Sequence, residues 1–212
     1  MSRMSRILYL HGFASGPSSG KARFLSEHLR ARGATVEIPE LDEGDFEHLT
    51  ITGQIAVIER AAAGEAVSLV GSSMGGYLAA LYAARHPEVP RVVLLAPAFG
   101  FARRWPEKLG QERMAEWRRI GNTPVFHHVQ GYMRPLSPAL LDDGARYEDF
   151  PDFKQPALIF HGAKDDVVPV AYSQEFAASH PNATLEIVDS DHGLTDALEY
   201  VTPKIAAFLL NR

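Results

Sequence analysis

This chain predicts a doubly wound α/β architecture with a mostly parallel sheet of six strands, on three observations. Short apolar runs recur at residues 6–10, 35–38, 67–70, 92–95, 157–160 and 185–188. Most of them are apolar almost continuously rather than at every second residue, the pattern of parallel strands buried on both faces. Between them, residues 19–32, 50–63, 76–85, 170–179 and 195–210 carry helical spacing with caps or stops at their ends, and supply the crossovers that parallel strands require.

Each element has its own signal. The first run, at 6–10, passes directly into His11-Gly12-Phe13; the second, at 35–38, follows the first helical stretch. The third, Val67-Ser68-Leu69-Val70, is succeeded by Gly71-Ser72-Ser73-Met74-Gly75 and then by the helical stretch beginning near Tyr77. After the fourth, which ends at Leu95, the alternation breaks. Residues 99–153 intervene before the next strand, far more than a βα connection needs. They are read as an inserted cap within one domain covering 1–212. Residues 106–120 are read there as one amphipathic helix, with Leu109, Arg113, Trp117 and Ile120 on one side.

Composition excludes several classes of function. The chain has 212 residues, 46% of them hydrophobic, enough for one large core and short for two ordinary domains. A net charge of −5, with both signs interspersed, leaves no basic footprint for nucleic acid. The absence of cysteine removes disulfides, thiolate zinc sites and a cysteine nucleophile. Residues 7–10 are too short an apolar stretch for a signal-peptide core, and no eighteen-residue apolar span exists to insert in a membrane, so a cytoplasmic location is expected. With no H-E-x-x-H, P-loop or dinucleotide fingerprint, no metal or organic cofactor is expected.

The turn at 71–75 is the most informative segment. A serine hydroxyl attacks a carbonyl only if it projects into a cleft beside a base, so its backbone must bend sharply between strand and helix. Glycines two residues before and two after Ser73 permit that bend. Ser72, with Val70 two residues before it, does not fit the frame. In an open parallel sheet, ligands bind beyond the carboxyl ends of the strands. His11 to Phe13, Ser73, Asp165 and Asp166, and Asp191 and His192 all follow strands, and converge on one rim.

The order Ser, Asp, His is that of the α/β-hydrolase triad, and four segments carry a resemblance to that superfamily. Leu10-His11-Gly12-Phe13 resembles its oxyanion segment and Gly71 to Gly75 its nucleophile elbow. His161-Gly162-Ala163-Lys164-Asp165 with Val168-Pro169 resembles its acid loop, and Asp191-His192-Gly193 its histidine loop. Ser15-Gly16-Pro17 and Gly20-Lys21-Ala22 are further similar to small bacterial esterases and acyl-thioester hydrolases. The resemblance implies a minimal α/β-hydrolase fold lacking the two N-terminal strands of larger members. It implies Ser73 as nucleophile, His192 as base, and Asp165 as acid in preference to Asp166. The backbone N–H groups of Met74 and Phe13 become the oxyanion donors, with Gly12 permitting the turn that aims the latter. His11 and His161, each before a glycine at a strand end, are read as structural histidines bonded to the backbone.

The activity implied is hydrolysis of small to medium acyl esters, with thioesters as a near variant, acting on a small-molecule substrate. A triad-retaining receptor with little turnover, a carbon–carbon hydrolase, a cofactor-free peroxidase and a peptidase stay open beside it. Aromatics concentrate in 99–153, among them Phe101, Tyr132 and both tryptophans, Trp105 and Trp117, either to line an acyl pocket or to pack the cap. Arg103, Arg104, Lys108, Arg113, Arg118 and Arg119 outnumber the glutamates near them, either as a solvated face or as a patch for an anionic leaving group.

Overall fold

The computed structural model describes residues 5–210. In chain order the elements are β1 (Arg6–Leu10), α1 (Gly20–Arg30), β2 (Thr35–Glu37), α2 (Ile51–Ala62), β3 (Ser68–Ser72), α3 (Met74–Arg85) and β4 (Val92–Leu95). There follow α4 (Phe101–Leu109), α5 (Gln111–Ile120), β5 (Thr123–His127), β6 (Tyr132–Leu136), α6 (Ala139–Gly144), β7 (Ala157–Gly162), α7 (Val170–Ser179), β8 (Ala183–Val188) and α8 (Leu198–Leu210). Six strands form one sheet in the order β2-β1-β3-β4-β7-β8, every neighbouring pair parallel.

Alternate side chains of the central strands feed two cores. Leu8, Leu69, Leu94 and Ile159 pack under α2, α3 and α7 on one face. Ile7, Val70, Val93 and Phe160 pack under α1 and α8 on the other. The inner strands are buried on both faces, which is why their sequences read as unbroken apolar runs. The edge strands differ: β2 alternates exposed and buried residues, and β8 leaves Ile187 43% exposed. Residues 74 to 83 of α3 are all buried, because this helix lies under the sheet on one side and the 99–153 segment on the other.

Within 99–153 the expectation of one helix over 106–120 is corrected. Gly110, at φ 81° and ψ 161°, ends α4 and starts α5, a conformation that breaks the helical ladder. The segment also contains an antiparallel hairpin, β5 with β6, that periodicity did not reveal. Each strand carries a proline, and Pro124 lies opposite Pro135 in register. Proline argues against an inner strand but is tolerated in a two-stranded ribbon with open edges.

The sheet order reverses between β1 and β3, so the loops after these strands part and leave a crevice there. Close packing makes the corner after β3 intolerant of side chains. A Cβ on Gly71 would lie 2.2 Å from the Gly75 carbonyl oxygen, and one on Gly75 would lie 2.1 Å from that of Leu10. Both obstacles are backbone. Gly75→Ala is therefore expected to destabilise the protein by more than about 3 kcal/mol, whereas Gly20→Ala, with open space at that Cβ, shifts stability by less than about 1 kcal/mol. Urea unfolding of the two variants checks the contrast, and equal midpoints would refute it.

Candidate active site

Ser73 joins β3 to α3 at φ 54° and ψ −116°, a strained conformation for a residue with a side chain. Its surroundings over-determine it. The Ser73 N–H donates to the Leu95 carbonyl at 2.8 Å, while its own carbonyl accepts from the amides of Gly76, Tyr77 and Ala98 at 2.9–3.1 Å. Of the six non-glycine residues at positive φ among the described residues, Ala14, Ser73, Ala96 and Leu194 all follow strands at this same rim. Strain is concentrated where the loops turn over the crevice.

The hydroxyl so presented lies 3.0 Å from Nε2 of His192, and Nδ1 of that ring lies 2.7 Å from Oδ2 of Asp165. Asp165 stands after β7 and His192 after β8. The two loops are pressed together at Gly162, where a Cβ would meet the carbonyl oxygens of Ser190 and Asp191 at 2.4 Å. The Asp165 carboxylate is fully buried. Its Oδ1 accepts from the amides of Val167 at 2.9 Å and Val168 at 2.8 Å. Asp166 is exposed, and Asp191 is exposed with its Oδ1 accepting from the Gly193 amide.

His161 has a second contact that strand-end position did not disclose. Nε2 is 2.9 Å from the Val168 carbonyl, the expected backbone bond, and also 3.0 Å from Oδ2 of Asp165, while Nδ1 is 2.7 Å from the Ser173 hydroxyl. With the proton on Nε2, the ring donates to the carbonyl and the carboxylate and accepts from Ser173. The spacing of four residues between His161 and Asp165 is the signal that could have suggested it. Burial pushes the Asp165 carboxyl upward, but hydrogen bonds from His161, His192 and the Val168 amide outweigh that and hold it well below the usual carboxylate range.

His11 is bonded as expected, with Nδ1 3.0 Å from the Gly12 carbonyl and Nε2 accepting from the Leu41 amide at 3.2 Å. Gly12, however, is not at positive φ, and a Cβ there would find ordinary contacts at 3.5 Å. The left-handed residue of that turn is Ala14. A cavity of about 560 Å³ opens over the corner, lined by Phe13, Ser73, Met74 and His192 with Phe101 and Trp105 from the long segment. Trp117 and Phe99 instead pack in the core, and Tyr132 is exposed. Among the described residues, neither the Phe13 nor the Met74 N–H has a protein acceptor. Of the basic residues around α4 and α5, Arg103 pairs with Asp149 and Arg118 with Asp142, whereas Arg104 lines the cavity. No group of three potential metal-ligating side chains occurs among the described residues.

Comparison with known proteins places this geometry in a family. The sequence model of an uncharacterised protein family, UPF0227, matches residues 6–210. The chain belongs to that family. Its fold is that of the α/β-hydrolases. A solved structure from Agrobacterium vitis S4 superposes with a TM-score of 0.83 at 23% identity, covering 97% of this chain and 88% of that one. Alpha/beta hydrolase domain-containing protein 10 from mouse gives 0.80 at 19%, covering 97% and 89%. Monoacylglycerol lipase abhd6-B from Xenopus laevis is 26% identical over 178 residues, 77% of this chain. This chain spans about half (49%) of the length of that lipase. No described helix is long and apolar enough to cross a membrane.

The bonds around Asp165 carry a pH dependence. An unfolded carboxyl protonates near pH 4, roughly, and the folded one resists protonation, so its contribution to stability is complete above about pH 4 and is lost progressively as pH falls below it. Urea unfolding between neutral and acid pH should show wild type losing stability relative to Asp165→Asn as the pH drops. A stability gap constant across that range would contradict this.

Proposed function

We propose that this protein hydrolyses carboxylic esters through an acyl-enzyme on Ser73. The observation that carries the reading is the unbroken chain from Ser73 Oγ through His192 to the buried Asp165, at 3.0 and 2.7 Å, at the wall of an open cavity. In the first step Ser73 Oγ attacks the acyl carbon while His192 Nε2 takes the hydroxyl proton. Asp165 holds the ring by Nδ1 and stabilises the imidazolium. The negative charge arising on the carbonyl oxygen is received by the amides of Met74 and Phe13, the former at the amino end of α3 where the helix dipole adds to it. Collapse of this intermediate breaks the bond to the leaving group, which departs with the proton from His192. Water then attacks the acyl-enzyme, losing its proton to His192, and the second collapse returns that proton to Ser73 as the acid leaves.

The strained corner suits this role, since the hydroxyl is held in place before substrate arrives. The names of relatives support the reading at the level of chemistry, a monoacylglycerol lipase among them. Small to medium acyl groups fit a cavity of about 560 Å³, and thioesters require no different machinery.

A fluorophosphonate probe tests the assignment. Wild type should be labelled stoichiometrically, Ser73→Ala should keep its fold by circular dichroism and take no label, and His192→Ala should lower kcat on a 4-nitrophenyl ester by about a thousandfold or more. Undiminished labelling of Ser73→Ala would remove Ser73 from the role. A single burst of 4-nitrophenol without steady turnover would favour a receptor.

A further inference from the structure

The cavity is cationic in a chain of net charge −5. Lys21 and Arg104 line it with His128 and His192, and no aspartate or glutamate does. Several cations elsewhere are matched: Arg60, Arg85, Arg103, Arg118, Lys164 and Lys204 each have a carboxylate within 3.0 Å. The guanidinium of Arg104 is occupied by the carbonyls of Phe99 and Val167 and lies over the Tyr172 ring. Lys21 is different. It has neither a hydrogen bond nor an ion pair among the described residues, and the charges that act on it, Asp191 and Asp165, do so from beyond contact.

Leaving an ammonium in such a place is costly. Burial pulls Lys21 down to about 8, outweighing the two aspartates. Both aspartates are engaged elsewhere, Asp165 by His161, His192 and two amides, and Asp191 by the Gly193 amide. Lys21 also stands in the first turn of α1, which has no acidic residue and whose Ser19 side chain caps no amide. Ser19 and Gly20 share the cavity wall with it. A half-buried cation with no hydrogen-bond or ion-pair partner among the described residues, beside helix amides that no side chain caps, favours a negative charge, and the reacting carbonyl has its own donors in Met74 and Phe13.

We propose that Lys21 is a specificity-determining residue that receives an anionic group of the substrate, a carboxylate or similar charge carried beyond the scissile bond. The proposal rests on the ester-hydrolase reading above and adds the substrate class. It also moves the basic site suggested by the residues around α4 and α5 to the opposite side of the chain's sequence, onto the loop and helix that follow β1.

Matched esters differing only in charge test it. Mono-4-nitrophenyl adipate against methyl 4-nitrophenyl adipate places the charge on the acyl side, and the acetyl ester of 4-hydroxybenzoate against that of 4-hydroxybenzamide places it on the leaving group. On at least one arm, wild type should favour the anion by about tenfold or more in kcat/KM, expressed chiefly in KM, the size of a charge-assisted hydrogen bond. Lys21→Gln should bring that ratio near one and Lys21→Arg should keep it. The ratio should fall as pH rises through about 8 in wild type and hold in Lys21→Arg, whose charge persists. Arg104, His128 and His192 also line this space, and Asp165 and Asp191 act on Lys21 from beyond contact; their charges enter the ratio too, so the part that belongs to Lys21 is read from the difference between wild type and Lys21→Arg over the same pH range.

A wild-type ratio near one on both arms, or a ratio that Lys21→Gln leaves unchanged, overturns the proposal even if the neutral esters are cleaved. If no ester is cleaved and the fluorophosphonate fails to label, the hydrolase reading falls separately. Calorimetric binding of adipate and 4-hydroxybenzoate to Ser73→Ala then decides. Binding weakened about tenfold by adding Lys21→Gln sustains the anion site, and no binding, or binding indifferent to Lys21, removes it.

Discussion

The approach of the α3 amino end to the carboxyl ends of β1 and β3 is the constraint on which the rest depends. At Gly75 the helix backbone lies so near the Leu10 carbonyl that no side chain can stand between them. Because Ser73 bonds through its amide to Leu95 and through its carbonyl to Ala98, the same corner is tied to β4 and the loop after it. Three strands therefore fix one hydroxyl. The unfavourable φ of Ser73 is not relieved by these bonds but made the only conformation in which all of them form.

A second close approach, Gly162 against the backbone of Ser190 and Asp191, does for the acid and base what Gly71 and Gly75 do for the serine. It draws the loops after β7 and β8 together until His192 bridges Asp165 and Ser73. Burying a carboxylate there costs free energy that several donors must offset. His161 is one of them, and it is pinned in turn by Ser173 of α7 and the Val168 carbonyl. The acid is thus coupled to the packing of α7 on the sheet, a link between core and site that passes through a single imidazole.

Much of this was legible in the sequence because it depends on strand ends. Parallel strands buried on both faces write unbroken apolar runs, and residues just beyond such runs must lie on one rim, which is how Ser73, Asp165 and His192 could be placed together before any coordinates. The 99–153 segment was less legible for physical reasons. Gly110 divides a helical pattern whose apolar spacing continues across the break. The hairpin strands carry Pro124 and Pro135, and only their open edges make that acceptable. Tertiary contacts that depend on one ring or one amine, such as His161 on Asp165 or Lys21 beside the cavity, have no periodicity at all.

The charge distribution ties these features together. Asp165 is the carboxylate nearest the reaction centre, yet its negative charge is already met by four donors and faces away from the cavity behind His192. What lines the cavity toward a ligand is therefore positive: Lys21, Arg104, and the amino ends of α1 and α3. Such a field lowers the energy of any negative charge placed in it, whether it develops on the attacked oxygen or arrives with the substrate. The two differ in timing. In the proposed hydrolysis, a charge that appears only in the transition state would be met by the Met74 and Phe13 amides at the corner, and stabilising it would accelerate the reaction. A charge present throughout would, on the Lys21 proposal, be met farther along the wall, and stabilising it would select what is bound. Backbone donors suit the first task because the fold fixes them before substrate enters, and a lysine on an otherwise uncapped helix suits the second.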